Sequence, residues 1–319
     1  MVPPTEPTEV LAVALFLFLT FWQEAVGLLA ALVLVVARRR SAGALPVTTG
    51  VRAVVLSGLA LALAFLAARR WSGIGPVVGG PELLGGLYGA TLYTGPLIAG
   101  LIALAVFLLP VRRRPTGRSA VLARRTPLTF VRPWWFVAVS LVLTGVVVLT
   151  VALGLVSRPD DEGHYRMFLI EAGETAVGAS VYGWYYSVPC LVLIAGLLLL
   201  AFLDLVLIAR PAVVGDHESD LAQRTWRSRA VVGVVVGALL LHLSAVVYSL
   251  QGALMVRGSS SGTGVLSSAF APLAEPLHLV GDVVQAGGWF VWFFLLLAAL
   301  TARRAERARD AEPALATEG

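Results

Sequence analysis

Seven long apolar runs divide this sequence, and most of them end at arginines rather than at mixed polar segments. A helix needs about 20 predominantly apolar residues to cross the roughly 30 Å hydrocarbon core of a bilayer. With 58% hydrophobic residues, 13% charged residues and a mean hydropathy of +0.86, the chain is far more apolar than a soluble domain. We therefore predict an all-α fold, a polytopic transmembrane helix bundle of seven spans. The predicted spans cover residues 10–37, 52–68, 88–110, 134–156, 187–208, 230–255 and 276–302.

The most basic segment runs from Arg112 to Arg132 and holds seven arginines between two apolar runs. Moving such a cluster across the membrane is costly and the inner leaflet is anionic, so the segment is expected to be cytoplasmic. In this orientation, 19 of the 24 arginines fall in cytoplasmic segments. We predict an external N-terminal tail at residues 1–9, a cytoplasmic C-terminal tail at residues 303–319, and location in the bacterial cytoplasmic (inner) membrane.

A weak internal repeat relates the third and fifth predicted spans. The pattern Tyr-Gly, Tyr, Pro occurs at residues 88–96 and again at residues 182–189. Both copies would enter the membrane in the same direction, which suggests a parallel repeat of helical hairpins. Chance similarity is an equal alternative, because a few residue types dominate this sequence.

Missing residues exclude several function classes. The chain contains no lysine, so a retinal Schiff base is impossible despite the predicted seven helices. Its single cysteine, Cys190, can form neither an internal disulfide nor a cysteine-rich metal site. No Gly-Lys-Ser/Thr loop or HExxH motif occurs, and no pair of mid-span histidines that could face each other across a haem is present. We predict a non-enzymatic protein without catalytic residues, cofactor or metal.

An acidic cluster follows the fourth predicted span. It consists of Asp160, Asp161, Glu162 and His164, which carry oxygen and nitrogen atoms that could bind a metal. Adjacent residues in a loop do not converge without help, so we interpret the cluster as a solvated loop. We expect residues 158–186 and 258–275 to fold back as a partly ordered cap over the helix ends.

A few polar residues lie well inside the predicted spans. The intramembrane candidates are Gln23, Glu24, Asp204 and His242. At 1.5 Å per residue, Glu24 and His242 should both lie roughly 20 Å from the cytoplasmic boundary. Intramembrane ionisable groups usually face the bundle interior and pair, so we hypothesise that Glu24 pairs with His242. A protonated Glu24 that joins helices by a hydrogen bond is favoured over a proton relay.

Two further pairs have helical spacing. His278 and Asp282 are four residues apart at the outer end of the last predicted span, which makes them outer-rim candidates. Gly233 and Gly237 have the GxxxG spacing that lets helices approach closely. We favour packing within the bundle for the glycines, with a homo-oligomer contact as the alternative.

The segments RRTPLTFVRPWW, DDEGHYRMF and YGWYYSVPC together resemble uncharacterised multi-pass integral membrane proteins of high-GC actinobacteria. The resemblance covers most of the chain from the third predicted span onward. It implies location and topology, but no activity and no site residue.

Two functions remain open from the sequence. The first is a non-enzymatic membrane component of a larger assembly, whose basic loops could dock an acidic cytoplasmic or membrane protein partner. The alternative is a small transporter or permease with a substrate or proton path between helices. Besides a protein, the lipid bilayer is an expected partner. Nucleic acid is not expected, because the arginines lie at the ends of apolar runs rather than on one soluble face.

Overall fold

A computed structural model of the chain describes residues 7–41, 48–74, 86–110, 130–172, 175–210, 217–260 and 264–302. The helices are α1 (Pro7–Ser41), α2 (Thr49–Ile74), α3 (Leu87–Ala90), α4 (Gly95–Phe107), α5 (Pro133–Val156), α6 (Trp184–Ala209), α7 (His217–Leu254) and α8 (Ala274–Thr301). The strands are β1 (Arg158–Pro159), β2 (Tyr165–Ala172), β3 (Thr175–Ser180), β4 (Arg257–Ser260) and β5 (Gly264–Ser267). The predicted tail at 303–319 and most of the basic segment from Arg112 to Arg132 lie outside the described residues.

Six of the described helices are long and apolar enough to cross a membrane: α1, α2, α5, α6, α7 and α8. The chain therefore forms a mostly helical bundle of the multi-pass kind. α7 is its central helix, because 83% of its most apolar stretch is buried against only 17% for α5. The outer helices turn large apolar side chains such as Leu141 and Leu155 away from the bundle, as lipid contact requires.

The third predicted span, residues 88–110, is not one continuous helix. It is divided into the single turn α3 and the 13-residue α4 by a turn at residues 91–94. At 1.5 Å per residue, α4 is roughly 20 Å long and is shorter than a bilayer core. The sequence pattern predicted one continuous span because glycine and proline also occur inside transmembrane helices.

The break is stabilised by an arginine of the neighbouring helix. Pro96 has no N–H, so it cannot donate to the Leu92 carbonyl four residues earlier. Arg69 of α2 donates from Nη2 to Leu92 O at 3.0 Å and from Nε to Thr91 O at 3.0 Å. Gly95 leaves room for this side chain, since a Cβ there would lie 2.6 Å from Arg69 Nε.

At the opposite end of the bundle, arginines bond to the last carbonyls of neighbouring helices. Arg52 donates to Leu300 O of α8 at 2.9 Å, and Arg227 donates to Phe107 O of α4 at 3.3 Å. The fully buried Arg224 donates to Ile208 O of α6 at 2.8 Å. The final carbonyls of a helix have no intrahelical donor and carry partial negative charge, so each guanidinium stabilises a helix end.

The α7–α8 interface confirms the expected packing role of the GxxxG glycines within the bundle. A Cβ on Gly237 would overlap the indole of Trp292, which is fully buried and donates from Nε1 to Val234 O at 3.2 Å. A Cβ on Gly233 would lie 2.9 Å from Leu295 Cδ1. Both glycines therefore let α8 side chains pack directly on the α7 backbone.

Two small antiparallel sheets depart from the all-α expectation. One has the strand order β1-β2-β3, and the other pairs β4 with β5. The first sheet packs on α6 through β2 and on α7 through β3, and the two sheets touch each other. The two segments predicted to form a cap thus contain strands that lie against helix ends.

Candidate functional site

A cavity of about 700 Å³ lies between α1, α2, α7 and α8, with the α3–α4 break as a further wall. We call it the Glu24 cavity. Its polar and charged lining includes Gln23, Glu24, Arg69, Arg70, His278 and Gln285. Its aromatic lining consists of Phe21, Tyr88, Tyr93, Tyr248, Trp289 and Phe293. The volume and the mixture of apolar walls with a few polar groups are typical of small-molecule sites, which span about 300–1,000 Å³.

The cavity extends from one end of the bundle toward its middle. His278 lies in the first two turns of α8, and Phe293 lies fifteen residues further along the same helix. At 1.5 Å per residue, the distance between them along the axis is roughly 22 Å. Its deeper polar groups, Gln23 and Glu24, therefore lie near the middle of α1.

A hydrogen-bond network around Asp282 joins three helices beside the cavity. The buried Asp282 Oδ1 accepts from Tyr248 Oη of α7 at 2.6 Å and from Gln23 Nε2 of α1 at 3.1 Å. His278 Nε2 lies 3.7 Å from Asp282 Oδ2 on the same face of α8. The structure thus brings the two outer-rim candidates together, and it adds two partners from other helices.

The two arginines at the end of α2 have different roles. Arg69 is held by the carbonyls of the helix break, and its guanidinium lies 4.7 Å from the centre of the Tyr88 ring. Arg70 donates from Nη2 to Thr20 O of α1 at 2.7 Å and lies over the Phe21 ring at 5.6 Å. Arg70 therefore bridges α1 and α2 across the cavity.

Four buried polar atoms of the lining residues have no hydrogen-bond partner within the described part of the chain. They are Gln23 Oε1, Glu24 Oε2, Arg70 Nε and Trp289 Nε1. A buried polar atom without a partner costs about 1–3 kcal/mol, so native structures contain few of them. Their concentration around one cavity indicates that this region is adapted to hydrogen-bond something other than the protein itself.

The hypothesised pair between Glu24 and His242 is wrong. His242 is fully buried, its Nδ1 lies 2.9 Å from Tyr93 O, and its Nε2 lies 3.3 Å from Tyr182 Oη. Both ring nitrogens are thus engaged by other groups. Thr20 and Ser244 line the cavity together with Glu24.

Asp204 does not belong to the Glu24 cavity. Its side chain is buried near the end of α6, more than one helical turn before Ala209. Its Oδ2 atom has no hydrogen-bond partner among the described residues, although the Arg227 guanidinium is near enough to act on it electrostatically. The sequence correctly indicated a polar residue inside this span, but Asp204 lies apart from the candidates that line the cavity.

The side chains of the acidic cluster lie closer together than the prediction of a solvated loop implied. Ligand atoms of Asp160, Glu162 and His164 lie within 4.8 Å of one another at the β1–β2 turn. Arg166 occupies the cluster, however, because it bonds to Asp160 Oδ2 and reaches Glu162 Oε2 at 3.4 Å. The structure thus gives Asp160 a guanidinium counterion.

The same contacts lower the pKa of the Asp160 carboxyl group. Burial acts to raise the pKa of this carboxyl group. Hydrogen bonds from the His164 amide and the Arg166 guanidinium outweigh burial and bring the pKa below its ordinary value. The turn is therefore built around an ionised Asp160.

Sequence reasoning missed most of the cavity lining. Arg69 and Arg70, however, lie among the few arginines outside the predicted cytoplasmic segments. That exception to the charge bias was the available signal. Gln285, an amide inside the last predicted span, was a second such signal. Trp289 had none, because aromatic residues are common in membrane helices.

The fold and the cavity define a class: a multi-pass helical membrane protein whose bundle contains a largely apolar cavity with a few polar groups. Comparisons of the chain with protein-family models, with curated proteins and with solved structures find no match. The function is therefore inferred from the residues and geometry of this chain.

Proposed function

We propose that this protein is a small transporter or permease of the bacterial cytoplasmic membrane that binds its substrate in the Glu24 cavity. The observation that carries this proposal is the group of four buried polar atoms, without partners among the described residues, around one cavity of about 700 Å³. Polar and ionisable groups at this depth are costly and commonly mark a substrate or ion path. A substrate that pairs with these atoms would remove part of that cost.

The proposal includes seven crossings with the N-terminus outside and the C-terminus in the cytoplasm. α3 and α4, with the turn between them, would together form the third crossing. The arginines at residues 52, 224 and 227 lie at one end of the bundle, which favours that end as the cytoplasmic one. The Glu24 cavity would then open toward the external face.

The parallel repeat remains a proposal, and its two copies differ in the position of the proline. Pro96 follows the α3–α4 break, whereas Pro189 lies inside the continuous helix α6. The two copies would therefore share a sequence pattern but not the same helix geometry. A transporter built from repeats could use such a difference at its substrate site.

The second candidate function is a non-enzymatic membrane component of a larger assembly. This candidate is supported by exposed aromatic residues at the two small sheets. Tyr165, within the first sheet, is 50% exposed, and Phe270, next to the second sheet, is 63% exposed. Exposed aromatic residues are frequent in protein interfaces. Affinity purification from native membranes should recover a stoichiometric partner if this candidate is correct, and an uncomplexed protein if it is not.

Access to the cavity from both sides of the membrane tests the transporter proposal. A cysteine at Ser244, which lines the cavity, should react with membrane-impermeant thiol reagents in intact cells and also in inside-out vesicles. The native Cys190 is replaced by alanine as background. Ala238→Cys, a buried position of the same helix outside the cavity lining, should stay unreactive from both sides. Reaction of Ser244→Cys from one side only would contradict alternating access.

The orientation has its own test with the same reagents. A cysteine replacing Ser180, an exposed residue of β3, should react in intact cells. A cysteine replacing Ser119, which lies outside the described residues, should react only after the membrane is opened. The reverse pattern would overturn the proposed orientation.

A further inference from the structure

The Glu24 cavity reaches the lateral surface of the bundle between α1 and α2. Among the described helices, α1 packs mainly on α8, while α2 packs on α4 and α8. Two residues of the cavity lining are exposed at this position, Leu19 of α1 at 62% and Ala67 of α2. The hydrogen bond from Arg70 to Thr20 O spans the gap. Leu19 and Ala67 both lie inside stretches apolar enough to cross a membrane, so a gap at this position would face lipid in a bilayer.

The charged groups of the cavity favour a ligand with an anionic group. The described lining residues include two guanidinium groups, Arg69 and Arg70, and one carboxyl group, that of Glu24. The Asp282 carboxylate beside the cavity already accepts hydrogen bonds from two other lining residues. Arg69 donates to backbone carbonyls, whereas Arg70 Nε has no partner in the described chain. Guanidinium groups form strong, charge-assisted hydrogen bonds with phosphate and carboxylate oxygens.

The remaining unpartnered atoms specify the rest of the head group. Trp289 Nε1 is a donor and suits an oxygen acceptor of the ligand. Gln23 Oε1 is an acceptor, and Glu24 Oε2 accepts or, when the carboxyl group is protonated, donates, so both atoms suit a hydroxyl group of the ligand. A head group that combines an anionic oxygen with hydroxyl donors matches both sets of atoms.

We propose that the substrate of this site is a membrane amphiphile with a head group of that kind, and that it enters laterally between α1 and α2. This inference rests on the proposed function and names its substrate class. The apolar lining at Leu19, Leu63 and Leu66 would contact the hydrocarbon part next to the head group. A solute that is soluble in water would have no need of a lipid-facing opening.

The test uses the full-length protein in nanodiscs that contain photoactivatable phosphatidylglycerol, which has a phosphate and two free hydroxyls in its head group. Mass spectrometry should find crosslinks concentrated at residues 19–24 and 63–70. A photoactivatable phosphatidylcholine, which lacks hydroxyl donors, should label these residues much less. A soluble arm uses glycerol phosphate, which carries the same head-group chemistry without acyl chains.

Three variants connect the labelling to the cavity. Trp289→Phe removes an unpartnered donor while keeping the aromatic ring, so the protein should fold normally and labelling should fall roughly tenfold. Arg70→Gln should reduce labelling at least as much. Ala67→Trp should abolish it by filling the lateral opening, whereas Ala60→Trp, an exposed position deeper on α2 and outside the lining, should leave it unchanged.

The outcomes separate this inference from the proposed function. Equal labelling by both lipids, or labelling that survives Ala67→Trp, means ordinary annular lipid and overturns the inference. Protection of Ser244→Cys by glycerol phosphate without specific lipid crosslinks overturns lateral entry but leaves the transporter proposal standing. Specific crosslinks combined with one-sided access of Ser244→Cys would keep the lipid site and refute transport.

Discussion

Arg69 Nη2 lies 3.0 Å from Leu92 O, the carbonyl that Pro96 leaves without its usual helical donor. Arg69 of α2 thus supplies the hydrogen-bond donor that is missing at the α3–α4 break. The same side chain donates to Thr91 O and lines the Glu24 cavity, so the break and the candidate site share a structural element. A loss of this contact should affect both stability and the cavity wall.

This relationship predicts a double-mutant effect. Arg69→Met should destabilise the protein by about 1–3 kcal/mol, because two carbonyls lose a charged donor. Pro96→Ala supplies an N–H that can reach Leu92 O, so Arg69→Met should cost less in that background. Reversible denaturation in detergent measures the free energy of unfolding of the wild type, the two single variants and the double variant. Additive effects of the two changes would contradict the proposed coupling.

Two glycines of α7 provide a matched test of the helix interface. Gly237→Ala should destabilise the protein by about 1–3 kcal/mol, since the new Cβ meets the buried Trp292 indole. Gly252→Ala should be neutral or stabilise by up to about 1 kcal/mol, because a Cβ there meets no atom within 4 Å and alanine favours helix. Thermal unfolding of both variants checks the prediction. Equal effects would show that close packing at residue 237 is not required.

The contact between the buried His242 and Tyr182 should contribute to the stability of the protein. Tyr182→Phe keeps the ring contacts but removes the hydroxyl 3.3 Å from His242 Nε2, and should reduce stability by about 0.5–1.5 kcal/mol. The control is Tyr165→Phe in β2, whose side chain is 50% exposed and which should change stability by less than about 0.5 kcal/mol. An unchanged unfolding midpoint for Tyr182→Phe would show that this contact contributes nothing.

The β1–β2 turn should lose protection in acid. The pKa of Asp160 is lowered in the folded protein, so its stabilising contribution is complete above the ordinary carboxyl pKa and is lost as pH falls through the folded value. Hydrogen exchange at residues 158–167 should therefore accelerate as the pH falls below about 4, after correction for intrinsic rates. Asp160→Asn should remove most of this dependence, whereas Asp161→Asn should retain it. Equal pH profiles for wild type and Asp160→Asn would refute the assignment.

Much of the helical organisation could be predicted because membrane helices obey a simple constraint. An apolar run of sufficient length must satisfy its backbone hydrogen bonds internally, so the runs ending near residues 37, 156 and 208 appear as helices. The contact between His278 and Asp282 follows from the same local geometry, since residues four apart share a helical face. These features depend on neighbours along the chain.

Only the tertiary structure decided which helix faces meet. The rise per residue correctly estimates depth along a helix, but it does not specify rotation about the axis or the neighbouring helix. Glu24 and His242 were therefore matched in depth, yet His242 bonds to Tyr93 and Tyr182 while Glu24 lines a cavity beside Arg70. The α3–α4 break also depends on a donor from another helix, Arg69, which the local sequence around Pro96 does not contain. Such relationships arise from the packing of many side chains at once, so the sequence determined the helices and the tertiary structure determined the site.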